Sequence, residues 1–230
     1  MGWMYGFDYY FLILVIPALI LSMGAQIFLK STYKKMSRVF SIRGLTGAQA
    51  AMSVMNHYGI PDVRVEEVAG NLTDHFDPRN NVIYLSRGVY SNNSIAAIGI
   101  ACHEAGHAVQ HKENYVPIKI RTAIVPVTNI GSALGLPLAI LGYFLGFGSL
   151  ITIGLMLYSL IVVFQLATLP VEFNASHRAM KVINEIGILD VEEQAGAKRV
   201  LTAAAMTYVA ALLVSIANLL RFILRFSGRR

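Results

Sequence analysis

Charge is distributed along this chain in blocks, and three long stretches carry none: Tyr9 to Leu29, Thr122 to Val171, and Leu201 to Leu220. A bilayer's hydrocarbon core takes about 20 apolar residues as a helix, so 9–29 reads as one span. The second stretch is fifty residues long, which as a single helix would reach about 75 Å. It must fold back. Gly146-Phe147-Gly148-Ser149 is its best turn, predicting spans at 122–145 and 150–169. Pro126 and Pro137 fall inside the first of these, where neighbouring helices tolerate a kink. The third stretch, 201–220, has the length of a further span, with an interfacial helix as its alternative.

Between the spans the periodicity changes. Thr46 is placed to cap a helix carrying Ala48, Ala51, Met52, Met55 and Tyr58 at helical spacing, which Gly59-Ile60-Pro61 ends. Val63 to Val68 predicts a short strand. Leu72-Thr73-Asp74-His75-Phe76 and Val82-Ile83-Tyr84-Leu85 flank the turn-rich Asp77-Pro78-Arg79-Asn80-Asn81, the pattern of a hairpin. After cap residues in Ser91-Asn92-Asn93-Ser94, apolar Ile95, Ile98, Cys102, Ala105 and Val109 recur at helical spacing, predicting a helix over 94–111. A further helix is expected over 170–199.

Composition agrees with a membrane protein: 55% of residues are hydrophobic and 14% charged, too little polar surface for an ordinary soluble globule. Trp3, Tyr5, Tyr9 and Tyr10 supply an interfacial aromatic belt, and the first span reads as a retained anchor, since Asp8 is the only charge before it. Lys30, Lys34, Lys35, Arg38 and Arg43 follow that span, Lys119 and Arg121 precede the paired spans, and Arg178 and Lys181 follow them. By the positive-inside rule all three groups face the cytoplasm and the N-terminus lies outside. Arg221, Arg225, Arg229 and Arg230 break the pattern, because a fourth span would place them outside. The net charge of +6, set beside apolar segments, points to anionic lipid rather than nucleic acid. The lone Cys102 excludes an internal disulfide and reads as a small buried side chain.

The chemistry lies in 101–111, Ala-Cys-His-Glu-Ala-Gly-His-Ala-Val-Gln-His. On a helix, His103 and His107 stack one turn apart on one face, where two neutral imidazoles can bind one Zn²⁺. Glu104 stands beside that face, placed to take a proton from a water that the metal acidifies and to return it to a leaving amine. Gly99 and Gly106 cost helix propensity, which close approach of another backbone or a substrate would offset. A catalytic zinc site keeps three protein ligands. Glu172, the first acidic residue after the paired spans return the chain to the same membrane face, is the expected third.

The motifs at 72–79 (Leu-Thr-Asp-His-Phe-Asp-Pro-Arg), 103–110 (His-Glu-Ala-Gly-His-Ala-Val-Gln) and 169–176 (Leu-Pro-Val-Glu-Phe-Asn-Ala-Ser), behind an N-terminal anchor, resemble the YugP-type bacterial membrane zinc metallopeptidases over nearly the whole chain. The resemblance implies a membrane-bound peptidase that uses zinc at the cytoplasmic face. More distantly the chain is similar to HtpX-like integral membrane gluzincins, whose Glu-x-x-x-Asp stretch maps onto Glu172 and, where the class has aspartate, Ser176. Asn174 could replace that aspartate in orienting a ligating histidine. His111 is a candidate for outer support of the site, and His75, His177, Arg178 and Tyr208 for transition-state stabilisation.

The expected protein is therefore a mainly α, multi-pass plasma-membrane metallopeptidase. It has three to four transmembrane helices and a small cytoplasmic zincin-like segment, 30–121, with a β-hairpin and the motif helix, all in one domain. Its partners are membrane lipids and a peptide or membrane-protein substrate. The alternatives are a non-catalytic scaffold with a structural zinc site and a metal transporter. Against transport, the apolar stretches contain neither acid nor histidine.

Overall fold

The computed structural model describes residues 8–227; Trp3, Tyr5, Arg229 and Arg230 lie outside them. The elements in order are α1 (Ile16–Met36, entered through a π-helical turn at Phe11–Val15), α2 (Gly47–His57), β1 (Arg64–Val68), β2 (His75–Asp77), β3 (Val82–Ser86), α3 (Arg87–Tyr90), α4 (Ile95–Lys112), α5 (Val116–Leu145), α6 (Gly148–Glu185) and α7 (Val191–Ser227). Four helical stretches are long and apolar enough to cross a membrane, those of 11–36, α5, α6 and α7. The protein is a mainly α membrane protein with one small sheet, arranged as two compact units.

The first unit holds the chain before residue 27, residues 119–169 and residues from 207 onward. Here α5 and α6 pack antiparallel, backbone against backbone. A Cβ on Gly135 would stand 2.7 Å from the Tyr158 nitrogen and 3.0 Å from the Gly154 carbonyl oxygen, so small residues set the helix separation. Pro126 and Pro137 are accommodated within the one helix. Val15 and Ala18 of 11–36 pack on Ala217 of α7. Beside them the Asp8 carboxylate accepts the Phe11 N–H at 2.7 Å. It also pairs with Arg221 at 3.0 Å and with Arg225. The Arg221 guanidinium lies 4.7 Å from the centre of the Phe11 ring. Tyr143, just before the Gly146-Phe147 turn, meets Phe226 with ring centres 5.5 Å apart. The start of the described chain, the α5–α6 turn and the end of α7 therefore share one end of this unit.

The second unit, Ile27–Ile118 with Pro170–Met206, contains the sheet and the motif helix. Thr46 and Gln49 form a reciprocal capping box at the start of α2. In the sheet, β3 is central. It pairs antiparallel with β2, as the hairpin pattern predicts, and parallel with β1. That leaves β2 at an edge, against α4. Ile83 and Leu85 of β3, Val54 and Met55 of α2, Ile98, Cys102 and Val109 of α4, and Ile183 of α6 share one core. Each such side chain contributes about 1.5–3 kcal/mol by leaving water. Cys102 is a core residue, its thiol pushed up to about 12 by burial.

The 170–199 stretch is not one helix. α6 continues through Pro170 to Glu185, and α7 begins at Val191. Proline removes one N–H and leaves the other rungs of the ladder intact, whereas Gly187 takes a left-handed φ of +63° and turns the chain. There the Ile188 N–H reaches back to the Ile183 carbonyl at 3.0 Å, and both side chains are fully buried. The same stop recurs at Gly59, where Ile60 reaches Met55, and at Asn114, where Tyr115 reaches Gln110. Residues 191–199 are thus the first turns of the helix that carries the 201–220 stretch, and Glu193 accepts the Asp190 and Ile42 N–H groups at its start.

Candidate metal centre

Helix α4 begins at Ser94, whose hydroxyl accepts the Ala97 N–H at 3.2 Å. It is buried along most of its length. Its histidines lie on one face, with the His103 and His107 ring centres 4.7 Å apart and the rings nearly perpendicular. Gly106, between them, is the point of closest approach to α6: a Cβ there would stand 2.7 Å from the Ala175 carbonyl oxygen. Any side chain would push the helices apart. That contact brings Glu172, one turn before Ser176, up to the imidazoles.

The Glu172 Oε2 lies 3.4 Å from His103 Nε2 and 3.6 Å from His107 Nε2. All three donor atoms fall within 4.8 Å of one another. Zinc bonds of 2.0–2.2 Å in a tetrahedron put neighbouring ligand atoms about 3.4 Å apart. The two nitrogen–oxygen separations match such an edge, and two imidazoles with a carboxylate are a donor set that zinc takes. Glu172 is 3% exposed and His107 8%, so the cluster is removed from bulk water.

The outer nitrogens are also held. His103 Nδ1 is 3.1 Å from Ser176 Oγ. His107 Nδ1 is 3.0 Å from Gln110 Oε1. Gln110, fully buried, donates from Nε2 to the Val171 carbonyl at 2.8 Å and to Asn174 Oδ1 at 2.9 Å. Because those partners only accept, the amide must turn its oxygen toward His107. The ring then donates from Nδ1 and leaves the Nε2 lone pair facing Glu172. Asn174 Oδ1 in turn accepts from Arg178 Nε at 2.7 Å, and Arg178 pairs with Glu113 at 2.6 Å. The two histidines are therefore unequally supported. A hydroxyl both donates and accepts, so Ser176 orients His103 without setting its tautomer, whereas the Gln110 amide does both for His107.

Burial works against charge on His107, but the hydrogen bond to Glu172 and the charges of Glu104 and Glu172 outweigh it and hold the ring's pKa above the ordinary histidine value. Without a metal the cluster attracts a proton, as an acid-rich pocket does. Glu104 is itself buried, 8% exposed.

Among the other sequence candidates, Ser176 directly touches the three-residue cluster, and Asn174 stands one step behind Gln110, not on a histidine. Arg178 holds Asn174. His75 is exposed, with Nδ1 2.8 Å from the Thr73 carbonyl oxygen and its ring stacked on Tyr84. His111 is exposed, edge-on to Phe76. His177 is exposed, and Tyr208 belongs to the first unit. Sequence reasoning passed over Gln110 and Glu113 as site residues. Gln110 had a usable signal: it follows His107 by three residues, on the adjacent turn of the same helix face.

Residues 11–227 match the model of a protein family described as "Putative neutral zinc metallopeptidase". The chain is 47% identical over 220 residues to the "Putative membrane protease YugP" of Bacillus subtilis (strain 168), covering 96% of this chain and 98% of that protein. No solved structure matches it. A match spanning the motif helix, the sheet and all four apolar helices leaves one assignment: the chain belongs to this zinc metallopeptidase family.

Proposed function

We propose that the protein is a membrane-embedded, zinc-dependent endopeptidase that cleaves peptide bonds at the cytoplasmic face. The observation that carries the reading is the His103–His107–Glu172 cluster, three donor atoms within 4.8 Å of one another, with the carboxylate at tetrahedral-edge distance from both imidazoles, beside a buried glutamate. These three residues would hold the zinc ion. Bound there, zinc polarises a carbonyl and lowers the pKa of water toward neutrality. Glu104 accepts the proton of the attacking water and returns it to the amine as the C–N bond breaks. Ser176 and Gln110 keep the imidazoles turned toward Glu172. The edge of β2, next to α4, offers backbone groups along which an extended substrate can lie.

Orientation is supported by the charge blocks at Lys30–Arg43, Lys119 and Arg121, and Arg178 and Lys181, which mark one face. Of the dissenting arginines, 221 and 225 share the Asp8 carboxylate, which offsets part of the charge that argues for a cytoplasmic end of α7. A site at the bilayer surface suits juxtamembrane segments of membrane proteins or small hydrophobic peptides as substrates.

Glu104→Gln tests the reading. Purified variant protein should keep one zinc per chain and lose hydrolysis of a fluorogenic peptide mixture by about 10²–10⁴-fold. Unchanged hydrolysis at full zinc occupancy would sink the assignment and leave a structural zinc site in a non-catalytic scaffold.

A further inference from the structure

A groove of about 660 Å³ opens within the second unit along the seam between α6 and α7. It shares Ser176 with the metal centre, where that hydroxyl meets His103. On α6 the residue next to Glu172 is Phe173, and Phe173, His177, Met180 and Lys181 follow one another along the groove wall at helical spacing. Leu201, 4% exposed, lies on the opposing wall with Lys198. The wall from 173 to 184 is long enough, at about 1.5 Å per residue, for some five residues of extended chain.

None of the lining side chains is acidic. Lys181 is 3.7 Å from Glu185, while Lys198 makes no ion pair among the described residues. The geometry points to a substrate subsite: the groove takes an extended peptide segment with an apolar side chain, on Phe173, Met180 and Leu201, and an aspartate or glutamate read by Lys198 and Lys181. This deepens the peptidase reading and rests on it. The competing occupant is an anionic lipid headgroup. The groove is continuous with the metal centre through Ser176, whose hydroxyl meets His103, and that continuity favours a peptide over a lipid as its occupant.

The test uses full-length Glu104→Gln protein, so that peptides bind without being cut, in nanodiscs of zwitterionic lipid. Fluorescent peptides identical except for Glu, Gln or Lys flanking a central Leu-Phe pair are titrated by anisotropy. The Glu peptide should bind about fivefold tighter than the Gln peptide, the size of a favourable exposed charge pair. In the background carrying Lys181→Glu and Lys198→Glu the order should invert toward the Lys peptide, with zinc content reporting that the fold is intact. Equal affinities for all three peptides, or an order unchanged by the reversal, would overturn the subsite. So would a reversal that abolishes binding to phosphatidylglycerol nanodiscs and leaves the peptide order untouched. Hydrolysis by the Glu104 protein is scored separately: charge-selective binding without any cleavage defeats the peptidase and not the groove.

Discussion

Among the described residues, two sheltered clusters of ionisable side chains, one around Asp8 and one around Glu172, are built in opposite ways. In the first unit one carboxylate, Asp8, is met by two guanidinium groups and a backbone N–H. In the second unit two buried carboxylates, Glu104 and Glu172, stand with two imidazoles. The Asp8 carboxylate is met by two cations of its own chain. The Glu172 cluster sets two carboxylates beside two imidazoles, and they hold the pKa of His107 above the ordinary histidine value. A carboxylate already met by cations holds helices together, and carboxylates gathered beside neutral imidazoles are a place for a cation.

Removing an acid should therefore do different things in the two places. Glu172→Gln should abolish tight zinc binding, raising the dissociation constant by more than about 10²-fold. Retention of zinc at wild-type affinity would break the contrast. Asp8→Asn should leave zinc stoichiometry alone and cost about 3 kcal/mol of stability, since it removes the carboxylate that pairs with two partly buried arginines. Thermal unfolding in detergent checks this, and an unchanged midpoint would show the pairs to be dispensable.

Within the metal centre the contrast is finer. Gln110→Leu removes the group that sets the His107 tautomer and should weaken zinc binding about 10–100-fold. Ser176→Ala removes a hydroxyl that only orients His103, and a smaller loss is expected. Competition with a chromophoric chelator measures both, and equal losses would mean that tautomer control contributes nothing.

The smallest effect is in pH. A histidine whose folded pKa is raised stabilises the metal-free fold below its unfolded pKa, and that contribution is lost as pH rises through the folded value. Zinc competes for the same nitrogen. As pH falls, affinity should start to drop at a higher pH in the wild type than in Glu104→Gln, which removes one of the charges holding His107's proton. Isothermal titration across the imidazole range decides it, and superimposable profiles would exclude Glu104 as a source of the shift.

Much of this was legible in the sequence because it depends on neighbours along the chain. The absence of charge marks the apolar helices. The four-residue offset of His103 and His107 is read on one helix, as are the Ser94 and Thr46 caps. The limits of the helices were harder. The span at 150–169 and the helix over 170–199 read as separate elements, yet α6 runs through Pro170 and the glycine at 187 provides the left-handed turn that follows its end. The parallel pairing of β1 with β3 likewise has no local signature, since the strands are joined through β2 and two loops.

What the sequence by itself determined are the membrane class of the chain and a face bearing two imidazoles and a glutamate, for both follow from spacing within single helices. Only the tertiary structure decided that Gly106 lets α6 close on α4, that Glu172 then meets both histidines, and that Gln110, not Asn174, holds His107. It also brought Asp8 to Arg221, across more than two hundred residues. Such contacts join segments whose local patterns are independent of each other. Their geometry comes from how closely two backbones can pack, a property of the pair that neither stretch carries alone.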